Sequence, residues 1–249
     1  MIDILFYAIF LVVVLVMLHS YFGLEILRRG IIFTDLAIAQ AAALGVAISL
    51  GYFHGEYSYV SSLAFALFCA ILIAYGSSKK INLEAFIGIL YVLSASAIMI
   101  VLAHSSEGME YFKALLASDI LFTLPSDIVK STIIYIFVAL AMFYIYPKVS
   151  GFKKELLFFS LLAITVTSSV ALAGVFVVFT LLVAPPFVML SLRVKKPLFY
   201  SFLFGWFFSI TAIVVSFLLD LPTGYSIVFL GAFLSAVIVL VGHKDELSR

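Results

Sequence analysis

The sequence predicts an all-α membrane protein, a bundle of eight or nine helices that each cross a lipid bilayer. The first observation behind this prediction is composition: hydrophobic residues make up 65% and charged residues 11% of the 249 positions, and the mean hydropathy is +1.30. A globular domain of this composition could not cover its surface with polar groups. The second observation is a series of apolar stretches of spanning length, and the third is the distribution of cations between them.

Nine apolar stretches approach the length of about 17–25 residues that a helix needs to cross the hydrocarbon layer. They are residues 4–22, 31–53, 59–76, 83–103, 131–146, 156–172, 174–190, 198–219 and 225–241. The sixth and seventh are nearly continuous, which leaves eight spans as the alternative. No soluble domain interrupts the series, so we expect one transmembrane domain over residues 1–249.

The Lys and Arg residues predict how the bundle is oriented. When the stretches are threaded through a bilayer in alternation, all of these cations except Lys113 and Lys130 fall on one side, whereas Asp and Glu show no such bias. Short cytoplasmic loops carry an excess of Lys and Arg. We therefore expect a multi-pass protein of the plasma or inner membrane with its N-terminus outside and its C-terminus cytoplasmic. The formal net charge of +1 gives no indication of a nucleic-acid partner.

The longest polar break, residues 104–130, contains apolar residues of its own and predicts a re-entrant helix or a helix on the outer surface. Irregular backbone at membrane depth is tolerated only where protein covers it or where it lines a wet cavity. Asp119 and Asp127 lie in this break. Helix capping would explain both of them, and a position on a substrate path is the alternative for Asp119.

Three polar residues lie at or within the predicted spans, where a charged side chain costs about 2.5–3.5 kcal/mol on insertion scales. Asp35 lies near the start of the second stretch, and Glu84 near the start of the fourth. Both suit the first turn of a helix, whose dipole favours a carboxylate; the alternative is a carboxylate on a cation path. Gln40 lies among small residues that would let neighbouring helices approach closely, and it forms either an interhelical hydrogen bond or a ligand contact.

A double proline marks the seventh stretch, which contains only about three helical turns before Pro185 and Pro186. Because proline removes a backbone donor and clashes with the preceding turn, we expect the helix to break or kink there. A basic turn with Arg193, Lys195 and Lys196 follows. On the cytoplasmic side such a turn would suit the docking of a soluble partner; the alternative is a plain positive-inside anchor.

The chain contains no Walker A pattern, Gly-rich phosphate loop or zinc-binding HExxH helix. A single cysteine, Cys69, rules out an intrachain disulfide framework. We therefore do not expect an enzyme. Any uphill transport would draw its energy from a partner or from an ion gradient. A partner-driven transporter, a carrier or channel driven by an ion gradient, and a scaffold for other membrane proteins all remain open at this point.

Five short blocks occur in a fixed order along the chain. They are FGLEILRRG at residues 22–30 leading into DLAIAQAAALGVA at 35–47, EAFIGI at 84–89, SDILFTLPSDI at 118–128, LAGVFVVFTLLVAP at 172–185 and DLPTGYSIV at 220–228. Together they resemble the permease subunits of ABC importers for zinc, manganese and iron, the ABC-3 family. In that family a double-Arg turn precedes a helix with the pattern Asp-x-x-(Ser/Ala)-His-Ala-x-x-x-Gly.

The resemblance implies a single permease domain that forms a homodimer around a shared path and holds no cofactor of its own. Two ATPase subunits, which bind ATP and Mg, would sit underneath. An extracytoplasmic solute-binding protein would deliver a zinc, manganese or iron ion or a metal chelate. Residues 185–196 would press into the ATPase, and the substrate path would be lined by Asp35, Gln40, Glu84 and Asp119.

The sequence departs from the family pattern at two places. Aligning on Gly45 puts Gln40 where the family has histidine and Leu36 where it has aspartate, so the acid Asp35 comes one residue early. Positions five apart differ by about 140° around a helix, and a Gln carbonyl is a poorer ligand for zinc-like ions than imidazole. We therefore assign no metal-ligand set. In the second departure, residues 147–155 stand where the family has a longer cytoplasmic segment.

Overall fold

A computed structural model of the chain describes residues 2–79, 81–103, 110 and 120–242, and within these residues every regular element is helical. Eight of the helices are long and apolar enough to cross a membrane. This confirms the predicted all-α fold with its spans. The helices are α1 (Ile2–Arg29), α2 (Thr34–Phe53), α3 (Ser58–Ser77), α4 (Leu83–Leu102), α5 (Pro125–Leu140), α6 (Gly151–Ala173), α7 (Val175–Ser191), α8 (Pro197–Leu219) and α9 (Thr223–Gly242).

The fifth span is longer at its start than predicted. Helix α5 begins at Pro125 rather than at residue 131, and its path continues beyond Leu140 through a π-helical turn and a 3-10 turn that ends at Lys148. Of the predicted re-entrant or outer helix, residues 104–109 and 111–119 lie outside the described residues. The part that is described contains the 3-10 turn Ile120–Phe122 and the first turns of α5.

The sixth and seventh stretches are two separate helices. Gly174 separates α6 from α7 with φ 83° and ψ 159°, a conformation that glycine adopts far more readily than residues with a side chain. Helix α7 has 17 residues, which at about 1.5 Å per residue gives about 26 Å. This is somewhat less than the hydrocarbon thickness of about 30 Å.

Helix α7 is not broken at the twin prolines. The break that the sequence predicted as one of two outcomes is therefore wrong. The helix runs through Pro185 and Pro186 and continues to Ser191. The two prolines remove only the hydrogen bonds that their N–H groups would have made to the carbonyls four residues earlier. A helix packed among neighbours tolerates that loss, because the neighbours cover the freed carbonyls.

Contacts between the helices form two compact units. Unit 1 contains α1, α7, α8, α9 and the 3-10 turn Ile120–Phe122. Unit 2 contains α2, α3, α4, nearly all of α6 and the part of α5 from residue 131 onward. The expectation of one domain over residues 1–249 stays a prediction.

Unit 1 is organised around α7, which packs against α1, α8 and α9. Gly23 of α1 lies so close to α7 that a Cβ there would overlap the Leu182 carbonyl oxygen and would lie 3.0 Å from Pro186 Cγ. Leu182 precedes Pro186 by four residues, so its carbonyl is one of those that proline leaves without a donor. On α8, a Cβ at Gly205 would lie 3.3 Å from Pro185 Cγ. Glycines on two helices therefore let backbone cover the proline segment.

Unit 2 is organised around α2, which packs against α3 and α4. A Cβ at Gly45 would overlap the Ser61 carbonyl oxygen of α3, which confirms the close approach predicted for this stretch of small residues. Toward α4, Ala43 and Ala47 pack against Ile98 in a buried apolar cluster. Small side chains thus allow α2 to be buried over much of its circumference.

Helices α5 and α6 are joined by a chain of hydroxyl groups within unit 2. The Tyr135 hydroxyl donates to Ser168 Oγ at 3.4 Å, and Ser168 donates to Ser131 Oγ at 2.9 Å. All three side chains are buried. Interhelical hydrogen bonds of this type hold apolar helices together at a defined register.

Candidate functional site

Asp35 is the second residue of α2, and only 1% of it is exposed. Its Oδ1 has no hydrogen-bond partner among the residues that the structure describes. A first-turn carboxylate at an interface would be solvated, but this one is enclosed by protein. An enclosed carboxylate oxygen without a donor is costly unless a cation or a donor reaches it.

Gln40 lies one and a half turns further along α2, and 5% of it is exposed. Its Oε1 likewise finds no partner within the described part of the chain. Asp35 and Gln40 are both buried although they differ by about 140° around the helix axis, because α2 is enclosed on most sides. The helix therefore carries two open oxygen acceptors that do not share one face.

Glu84 lies in the first turn of α4 and reaches the start of α2. Its Oε1 accepts the backbone N–H of Phe33 at 3.3 Å, whereas its Oε2 is buried and without a partner among the described residues. Asn82 caps α4 by accepting the N–H of Ala85 at 3.1 Å, so Glu84 is not needed as the cap of its own helix. The bond to Phe33 brings Glu84 to the same end of α2 as Asp35.

The other two acids singled out in the sequence, Asp119 and Asp127, differ from Asp35 and Glu84. Asp119 lies outside the described residues, so its assignment to a substrate path stays a prediction. Asp127 lies in the first turn of α5 and forms an exposed ion pair with Lys130 at 3.0 Å. Within the part of the chain that the structure describes, no three His, Cys, Asp or Glu side chains come together as a metal-binding group.

The basic turn between α7 and α8 has a defined backbone. Arg193 adopts a left-handed conformation with φ 52°. Its N–H donates to the Leu190 carbonyl at 3.1 Å, and the Val194 N–H donates to the Met189 carbonyl at 3.2 Å. These bonds form a Schellman motif, in which glycine usually occupies the left-handed position. Arg193 thus occupies a position where a side chain is unfavourable by about 1 kcal/mol or more.

The neighbours of Arg193 complete the predicted docking segment. Lys195 and Lys196 are exposed, and Pro197 begins α8 at a position that suits its fixed φ. Pro185 and Pro186 are buried inside unit 1. The two prolines are therefore packed in the unit interior, and the cations project from the turn that follows the same helix.

Sequence reasoning missed one ionisable group in unit 1. His19 of α1 is fully buried, and its Nδ1 lies 2.8 Å from the Leu15 carbonyl oxygen. The signal was available, because a histidine inside an apolar span is by itself a functional candidate. The contact of Glu84 with Phe33 was also missed, and no local pattern could have shown it because it joins residues 51 positions apart.

The chain matches known proteins in family and in fold. A model of the ABC 3 transport family matches residues 1–242. No curated protein matches the sequence. A chain of PsaBC from Streptococcus pneumoniae in complex with Fab is similar at a TM-score of 0.70 and 19% identity, covering 95% of this chain and 89% of that one. An inward-facing conformation of a metal-chelate type ABC transporter is similar at a TM-score of 0.70 and 16% identity. The match covers 94% of this chain and 85% of that one.

Proposed function

This chain belongs to the ABC 3 transport family, and on that premise we propose that it is the transmembrane permease subunit of an ATP-driven importer for a divalent metal ion (zinc, manganese or iron) or a metal chelate. A separate ATPase subunit binds ATP and Mg and performs the hydrolysis. An extracytoplasmic solute-binding protein delivers the substrate. Two copies of the chain form a homodimer in the plasma or inner membrane, with the N-termini outside and the C-termini cytoplasmic.

The observation that carries the choice of a cationic substrate is the Asp35 carboxylate. It is enclosed in unit 2, and its Oδ1 has no donor among the described residues. A passing cation would supply the missing charge. The open oxygens of Gln40 and Glu84 belong to the same helix pair and offer the same kind of ligand. Carboxylate and carbonyl oxygens suit hard cations such as manganese better than they suit zinc.

Coupling to the ATPase takes place at the turn that follows α7. Arg193, Lys195 and Lys196 are exposed there, and α7 itself is enclosed by three helices of unit 1. A force applied to this turn is therefore passed to a closely packed helix rather than to a loose segment. The strained backbone of Arg193 supports a functional role, because such strain persists mainly at sites where the side chain is needed.

The test is transport by purified components. The chain and the ATPase that co-purifies with it in mild detergent are reconstituted in proteoliposomes, and lumenal Zn, Mn, Fe and Co are measured by elemental analysis. We expect uptake only with ATP. The substitution Asp35→Asn should lower the uptake rate about tenfold, which corresponds to the loss of about 1.4 kcal/mol, in the range of a charge-assisted contact. It should not lower the stability of the fold, since it removes the charge from a buried carboxylate whose Oδ1 has no partner among the described residues.

Asp127→Asn is the matched control, because Asp127 is an exposed carboxylate in a surface ion pair. It should leave uptake within twofold, since such pairs contribute about 0–1 kcal/mol. Equal uptake rates for the Asp35 and Asp127 variants would show that Asp35 does not lie on the substrate path. Cation uptake without nucleotide would instead identify a carrier or channel driven by an ion gradient, and absence of uptake together with absence of a co-purifying ATPase would favour a scaffold.

A further inference from the structure

We propose that unit 1 carries a binding site for an anionic phospholipid, located where α1 ends and α8 begins. A groove of about 390 Å³ lies between these helix ends. Leu24 of α1 and Phe199 and Phe202 of α8 are among its apolar walls. Arg28 and Lys196 line the same groove. It therefore combines an apolar surface with two cations, one from each helix end.

The position of the groove matches the depth of lipid headgroups. Both helices are long enough to span a membrane, and the groove is formed by the last turns of one and the first turns of the other. The ends of spanning helices lie in the interfacial layer, where phosphate groups and the upper parts of acyl chains are found. Basic pockets between helices at this depth are a known way of binding acidic headgroups.

The charge of the groove favours an anion. Its one carboxylate, Glu25, lies 3.5 Å from Arg28 on the next turn of α1. The Arg28 side chain is 55% exposed, and an exposed pair of this kind is weak. A guanidinium has five N–H donors, so Arg28 can bind a phosphate oxygen while it remains near Glu25. Lys196 contributes a second cation that the groove does not neutralise.

A lipid suits this groove better than a small anion does. The Phe199 side chain is 55% exposed, and an acyl chain lying against it would remove apolar surface from water, which an inorganic ion cannot do. The headgroup charge then decides between lipids. A zwitterionic phospholipid offers the same acyl chains, but its cationic amine meets Arg28 and Lys196 unfavourably. The preferred occupant is therefore a phospholipid with a net negative headgroup, such as phosphatidylglycerol.

The chain contains its own probe of this groove. Trp206 is the single tryptophan. It stacks on Phe202 with the ring centroids 6.1 Å apart and an interplanar angle of 27°, and its Nε1–H donates to the Val13 carbonyl at 3.2 Å. Bromine atoms on an acyl chain held against Phe202 would lie close to the indole and quench its fluorescence.

The experiment compares two brominated lipids in vesicles of phosphatidylcholine that contain the reconstituted full chain. We expect dibrominated phosphatidylglycerol to quench Trp206 at about fivefold lower mole fraction than dibrominated phosphatidylcholine, which is the preference that roughly one net cation provides. In the double variant Arg28→Gln, Lys196→Gln, the two brominated lipids should quench Trp206 fluorescence equally. The control Lys148→Gln, Lys153→Gln removes two cations from other helix ends and should keep the preference.

Equal quenching of the native chain by the two lipids would overturn the proposal, as would a preference that survives in the groove variant or disappears in the control. If the groove variant does not fold, ionic strength provides the second measurement. At 1 M salt, where the Debye length is about 3 Å, the preference of the native chain should fall to about half or less. A preference independent of salt would contradict a headgroup contact with Arg28 and Lys196.

Discussion

Unit 1 and unit 2 differ in the polar groups that are buried inside them. In unit 1 the freed carbonyl of Leu182 is covered by Gly23, at a separation that only a residue without Cβ permits. In unit 2 the carboxylate oxygens Asp35 Oδ1 and Glu84 Oε2 are enclosed but left without donors among the described residues. Both units contain a contact that only glycine permits, Gly23 in unit 1 and Gly45 in unit 2, and both enclose hydroxyl groups without partners among the described residues. The enclosed carboxylate and amide oxygens that lack such a partner lie in unit 2, where a ligand could complete them.

This difference suggests a division of labour within one chain. Close packing around α7 would let unit 1 transmit a displacement, because dense interiors pass on displacement rather than absorb it. Open acceptors have a free-energy cost in the resting protein, and such costs are retained mainly at functional sites. Coupling would therefore depend on the packing of unit 1, and substrate contact on the polar groups of unit 2.

The largest effect is expected from Gly23→Ala, which breaks the packing of unit 1. The new Cβ would overlap the Leu182 carbonyl, and because backbone cannot rotate away as a side chain does, we expect a loss of about 3 kcal/mol, the upper range for overpacking. The measurement is reversible unfolding in mixed detergent, followed by circular dichroism. Gly88→Ala is the control: nothing lies within 4 Å of its Cβ position, so alanine should raise helix stability by about 0.5–1 kcal/mol. Similar unfolding midpoints for the two variants would show that α1 and α7 are not in close contact at Gly23.

A smaller effect is expected in unit 2 from Glu84. Glu84→Ala removes the acceptor of the Phe33 N–H and should lower stability by about 1 kcal/mol, the value of one hydrogen bond. Glu84→Gln keeps an oxygen in place and should retain most of that stability. If uptake nevertheless falls in the Gln variant, the charge of Glu84 acts on the substrate. Full uptake in Glu84→Gln together with low stability in Glu84→Ala would leave it a purely structural residue.

The smallest effect is expected from Arg193→Gly, which separates strain from function within unit 1. Glycine relieves the left-handed backbone at φ 52° and should raise stability by up to about 1 kcal/mol, while ATP-driven uptake should fall if Arg193 couples to the ATPase as proposed. Asp220 ends α8 in the same conformation, with φ 53°. Asp220→Gly should also gain stability but should leave uptake unchanged. Loss of uptake in both variants would point to the backbone conformation rather than the arginine.

Local patterns in the sequence account for much of the fold, and the failures occur where tertiary contacts compete with them. Apolar content alone predicts that α5 starts at residue 131, but Pro125 and Asp127 are first-turn residues that extend the helix backwards. The twin prolines favour a break or a kink, yet α7 continues as a helix through them, at the place where Gly23 and Gly205 pack against the proline segment. The separation of α6 from α7 depends on the backbone of Gly174.

The candidate site shows the same limit. Asp35 and Gln40 were recognisable because charge and amide groups are rare in an apolar span. Their burial on different faces of one helix could not be inferred from spacing alone, since it depends on α3 and α4 enclosing α2. Nor could the sequence place Glu84 beside the start of α2, because that contact joins residues far apart in the chain.

By itself the sequence determined the membrane class and the family and limited the spans to eight or nine, because hydropathy and short motifs are local properties that each segment carries whatever it packs against. Tertiary structure decided which polar oxygens remain open, which carbonyls are covered, and that α7 continues through two prolines. These outcomes depend on the distance between backbones of different helices. A single missing Cβ, as at Gly23, sets that distance, and no segment contains this information alone.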